Sequence, residues 1–125
     1  MAAHTWRVEM SHALIIDDNM IVSRAIQDQL SACGFVSFDH AWTDRQALDA
    51  AERRIPDLIV VGDHIESGSP LKLARQLASR TDAPILAITA DSGSFGHSLP
   101  EDAQIDGPYP LAELQAVIAS AGATA

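Results

Sequence analysis

Short apolar runs alternate with stretches of helical periodicity along this chain, which predicts a doubly wound α/β fold built on one parallel sheet. Two runs carry most of that prediction. Pro56-Asp57-Leu58-Ile59-Val60-Val61-Gly62-Asp63 sets four consecutive large aliphatics between turn residues, as in a strand buried on both faces. His12-Ala13-Leu14-Ile15-Ile16 repeats the pattern and stops at Asp17-Asp18-Asn19. The 125 residues suffice for one domain with a full core and are too few for two.

The elements follow in order. Residues 1–11 show no period and are expected as a flexible N-terminal tail, which leaves 12–125 as the domain. After the first strand, Asn19 suits the N-cap of a helix. Ile21, Val22, Ala25, Ile26, Leu30 and Cys33 then recur at helical spacing, and Gly34 closes the helix at C′. Phe35 to Ala41 reads as a shorter second strand, and Trp42 is expected to pack where it meets the next helix. Thr43-Asp44-Arg45-Gln46 is a capping box. Its helix should bury Ala47, Leu48, Ala51 and Ile55 and end at Pro56. The third strand is followed by a polar loop, Gly62 to Ser69. Pro70 suits the first position of a third helix with Leu71, Leu73, Ala74, Leu77 and Ala78 inward.

Pro84 to Thr89 reads as a fourth strand. Ala90 to Asp102 contains Gly93, Gly96 and Pro100, which oppose a helix, so a loop with at most one short turn is expected. Ala103 to Gly107 is a brief fifth strand, Pro108-Tyr109-Pro110 a turn, and Leu111 to Ala121 a last helix with Leu114, Val117 and Ile118 inward. Right-handed crossovers and five strands give the flavodoxin-like order 2-1-3-4-5, with the fourth helix short or absent.

Composition narrows the function. With 17 acidic and 8 basic side chains the net charge is -9, which gives no electrostatic reason to bind nucleic acid or anionic lipid. Cys33 is the single cysteine and sits at an apolar helical position, as a packing residue rather than a reactive thiol. No run is long enough to span a membrane, and the first dozen residues have no apolar core of a signal peptide, so a cytoplasmic location is expected. His4, His12, His40, His64 and His97 show no metal-ligand spacing, and His12 and His40 are expected at strand edges. Gly93-Ser94-Phe95-Gly96 lacks the lysine and the strand-to-helix setting of a phosphate loop.

Chemistry should gather where the first and third strands end, because those strands flank the topological switch point. Asp17-Asp18 ends one and Gly62-Asp63 the other. Two adjacent carboxylates repel unless a cation neutralises them, and a hard ion such as Mg²⁺ is the natural partner. The alternative is that one aspartate caps the first helix while the other faces water.

These stretches resemble the receiver domain of two-component response regulators, of the chemotaxis-regulator type, from about Ala13 to Ala121. Leu14-Ile15-Ile16-Asp17-Asp18 resembles the family's acidic pair. Pro56 to Val61 resembles the run before its phosphorylated aspartate. Ile88-Thr89-Ala90 resembles the segment with its switch Thr/Ser, and Tyr109-Pro110-Leu111 falls where the family has Lys-Pro-Phe. By this resemblance the acceptor position is Gly62, the lysine position Tyr109 and the aromatic switch position Asp106, with Thr89 and Pro110 matching the pattern. Thr89 to Pro110 is also about two residues shorter than in the family, at the fourth helix.

Forming an aspartyl phosphate needs an attacking carboxylate and a cation to hold the phosphoryl charge. Gly62 has no side chain to attack with, Tyr109 brings no positive charge, and the lone lysine, Lys72, lies in the third helix. The resemblance therefore implies a phosphorylation-independent module, a pseudo-receiver, acting by protein contact through the fifth strand and last helix. The alternative is a working receiver that autophosphorylates on the displaced Asp63. No other enzymatic activity is expected. Any cofactor would be weakly bound Mg²⁺ on Asp17, Asp18 and the backbone carbonyl of His64. The partner would be a histidine kinase or another signalling protein, with a homodimer as a further option.

Overall fold

A computed structural model describes residues 11–66, 68–89 and 105–123. Of the tail expected over 1–11 only Ser11 is described, and it is buried, its carbonyl accepting from Val36 N. The loop expected over Ala90 to Asp102, with Gly93 and Gly96, lies outside the described residues.

Five parallel strands form one sheet in the order β2-β1-β3-β4-β5. They are β1 (His12–Ile16), β2 (Ser37–Ala41), β3 (Leu58–Val61), β4 (Ile85–Thr89) and β5 (Ile105–Pro110). The helices among the described residues are α1 (Met20–Ala32), α2 (Asp44–Arg53), α3 (Pro70–Ala78) and α4 (Leu114–Ala123), the last preceded by a 3₁₀ turn at Leu111–Glu113. The fold is flavodoxin-like, as the alternation predicted.

Side-chain alternation in the central strands builds two cores. Leu14, Ile16, Ile59 and Val61 face α2 and α3, where Ala47, Ala50, Leu73, Ala74 and Leu77 meet them. Ala13, Ile15, Leu58 and Val60 face α1 and α4, where Ile26, Leu30, Leu114 and Ile118 meet them. β1 and β3 are buried at every residue, which is why they read as unbroken aliphatic runs.

The caps follow the sequence signals. Asn19 Oδ1 accepts from the amides of Ile21 and Val22 at the start of α1. Gly34, at φ 105°, ends that helix in a Schellman motif, with Phe35 N donating to Leu30 O and Gly34 N to Ser31 O. Thr43 Oγ1 accepts from Gln46 N, but the Gln46 side chain reaches back to Trp42 N, one residue before the cap. Ser69 caps α3, with Pro70 in its first turn.

Three expectations need correcting. Ile21 is 81% exposed, because it lies about 100° around α1 from Val22 and off the buried stripe. Ile55 is 74% exposed, because α2 stops at Arg53 and the extended Arg54 takes Ile55 out of helical phase. Pro108-Tyr109-Pro110 is not a turn: β5 continues through it, pairing Tyr109 with Ile88 and Pro110 with Thr89. An edge strand tolerates proline because its outer amides need no ladder partner. Trp42 is 42% exposed and borders a surface groove with His40 and Gln46.

Candidate functional site

The segments just after β1, β2 and β3 meet at the carboxyl end of the sheet, and backbone hydrogen bonds fix them. Gly62 N donates to Ile16 O at 2.8 Å, Asp18 N to His64 O at 2.9 Å, and Glu66 N to Trp42 O at 2.7 Å. The loop after β3 is thus tied to β1 and to the end of β2.

Asp17 is fully buried here. Its Oδ1 accepts from Asn19 N at 2.7 Å, whereas no donor meets Oδ2 with hydrogen-bond geometry. Burial pushes the Asp17 carboxyl above the ordinary aspartate value, and the amides of Asn19 and His64 pull it back only in part. Asp18 is exposed. The helix cap is Asn19, so neither aspartate fills that role.

Gly62 is buried against this carboxylate. A Cβ placed on Gly62 would overlap Asp17 Oδ2 and stand 2.8 Å from Asp17 Cγ. The volume that an acceptor side chain would need is therefore occupied by Asp17.

Asp63, one residue on, turns inward to β4: Thr89 Oγ1 donates to its Oδ2 at 3.1 Å. Tyr109 turns elsewhere. Its hydroxyl donates to Asp106 Oδ2 at 2.9 Å, and that bond, with burial and the Asp106 charge, raises the phenol pKa. The residues that the resemblance sets at the lysine and aromatic switch positions are thus bonded to each other. Lys72 is exposed on α3.

The carbonyl of His64, named in the expected ion set, is the acceptor of Asp18 N–H. The spacing of the histidines did not reveal that the His64 ring joins the acid pair: one ring nitrogen and one oxygen each of Asp17 and Asp18 lie within 4.8 Å of one another. The clue was that β1 and β3 are neighbours, which sets residues just past each strand side by side. Magnesium demands near-octahedral oxygen donors. Two carboxylates, with an imidazole as the third side chain and no carboxylate at Gly62, suit it poorly.

The other described histidines, His12 and His40, serve the fold. The ring of His12, buried at the amino end of β1, contacts Ser37 Oγ at 2.8 Å and Asp39 Oδ2 at 3.0 Å. His40 lies on the edge strand β2 and contacts Gln27 Oε1 at 2.6 Å, with its pKa lowered by burial against the opposing pull of Asp39. Cys33 is a partly buried free thiol whose pKa burial raises, which suits packing.

No protein-family model matches the chain. Among curated proteins it is 34% identical over 108 residues to the response regulator MprA of Mycolicibacterium vanbaalenii, covering 82% of this chain and 46% of that protein. It is 28% identical over 111 residues to the KDP operon transcriptional regulatory protein KdpE of Escherichia coli K12, covering 86% of this chain and 49% of that protein. The chain spans about half the length of these relatives. Among solved structures, the PhyR response regulator REC domain of Erythrobacter litoralis superposes with a TM-score of 0.74 at 21% identity, over 93% of this chain and 92% of that one. The fold is that of response-regulator receiver domains, and the curated proteins that the chain resembles are response regulators. No helix among the described residues is long and apolar enough to cross a membrane.

Proposed function

We propose that this domain is a pseudo-receiver: a signalling module that works without phosphorylation, by contact with a protein partner in the cytoplasm. One observation carries the reading, the occupation by Asp17 of the space where an acceptor side chain at Gly62 would begin. Two further arrangements support it. The Tyr109 hydroxyl, at the position of the phosphate-binding lysine, is committed to Asp106. The Thr89 hydroxyl is engaged by Asp63. A ligand shifts an equilibrium only by its differential affinity for two states, and without an acceptor phosphate supplies none. Control then rests with the partner, a histidine kinase or another signalling protein that contacts the face of β5 and α4, or with a second copy of the chain.

Incubation with acetyl phosphate and Mg²⁺ should leave the intact mass unchanged. The second reading, a working receiver, is favoured by the inward position of Asp63 beside Thr89. An added phosphate that disappears in Asp63→Asn would establish it and overturn the pseudo-receiver.

A further inference from the structure

The disagreement between the acid pair and magnesium points to a different ion. Asp17 Oδ2 is a buried carboxylate oxygen that no donor meets with hydrogen-bond geometry. Leaving such an atom bare costs free energy that a bound cation would recover. The third group beside the pair is an imidazole, with one ring nitrogen and one oxygen of each carboxylate within 4.8 Å of one another.

We propose that Asp17, Asp18 and His64 form a binding site for a borderline divalent transition-metal ion of the zinc class. Imidazole nitrogen selects such ions over magnesium, and three protein ligands plus water complete a four-coordinate shell. The frame is in place: Asn19 N–H holds Asp17, and the bond from Asp18 N–H to the His64 carbonyl fixes the two loops together. The side chains of Asp18 and His64 are exposed, so they can rotate to close on an ion arriving from solvent. The site does not depend on whether the domain is phosphorylated, so the phosphodonor assay and the metal titration can fail separately.

The test is calorimetric titration of the chelator-stripped full chain with zinc chloride and, separately, magnesium chloride. One zinc site is expected, at least about tenfold tighter than magnesium. His64→Gln should weaken zinc by about tenfold or more and leave magnesium unchanged. Asp17→Asn should weaken zinc as well. Cobalt chloride should give a visible absorption band that His64→Gln abolishes. Circular dichroism confirms that the variants are folded; His64 is exposed, so its substitution leaves the cores intact. Zinc affinity unchanged in His64→Gln, magnesium binding as tight as zinc, or no zinc binding would each overturn the proposal.

Discussion

Thr89 Oγ1 donates to Asp63 Oδ2 at 3.1 Å, tying the end of β4 to the loop that follows β3. This bond spans the crevice at the carboxyl end of the sheet, and a carboxylate acceptor makes it stronger than a neutral pair. Thr89→Val removes the donor and keeps the shape. It should lower stability by ~1–3 kcal/mol, whereas Thr89→Ser should stay close to the parent. Urea unfolding midpoints at constant m-value decide the matter.

Gly62→Ala should be destabilising by ~1–3 kcal/mol, since the added carbon meets Asp17. In an Asp17→Ala background the overlaps with Oδ2 and Cγ vanish, although Asp17 Cβ remains 3.0 Å away. The two substitutions should therefore be non-additive by more than ~0.5 kcal/mol, measured as a double-mutant cycle. Additive losses would mean that Asp17 does not occupy the volume over Gly62.

Asp17 also sets a pH dependence. Burial raises its folded-state pKa above the unfolded value. Below the unfolded value both states hold the proton, and ionisation costs nothing. As pH rises through the folded value, the native state must carry a buried charge, so this contribution to stability is lost. Asp17→Asn should accordingly stabilise the chelator-treated protein at neutral pH, by on the order of 1 kcal/mol, and have less effect near pH 3. Thermal unfolding across pH tests the sign; equal effects at both ends would contradict it.

Asn19→Ala removes the side-chain acceptor for the amides of Ile21 and Val22 and should cost ~1 kcal/mol. The amide that holds Asp17 is backbone and persists in the variant. Stability should fall while the zinc affinity of the acid pair stays near that of the parent. Denaturation and calorimetry on one preparation separate the two.

The central strands were legible because burial on both faces leaves only aliphatics, as in Leu58 to Val61. Helix ends were legible where one residue type answers a local need, as with Gly34 at φ 105° and Asn19 at the start of α1. Ile21 and Ile55 misled because both are apolar, yet exposure depends on phase and on where the helix stops. Pro108 and Pro110 misled because a proline forbids only an inner strand, and edge position is a property of the assembled sheet. In the site, the acid pair, Gly62 and Tyr109 could be placed by counting along the chain. The rotation of Asp17 over Gly62, the turn of Asp63 to Thr89 and the approach of the His64 ring could not. Each depends on contacts between segments distant in sequence.

The interlock of Gly62 with Asp17 also shapes how this chain can evolve. A carboxylate arriving at position 62 meets a filled volume, so the first step toward an acceptor is a loss of stability rather than a gain of function. Removing the Asp17 side chain first clears the volume over Gly62 and relieves a buried charge. The order of substitutions therefore matters: position 17 has to change before position 62 can take a side chain without overlap.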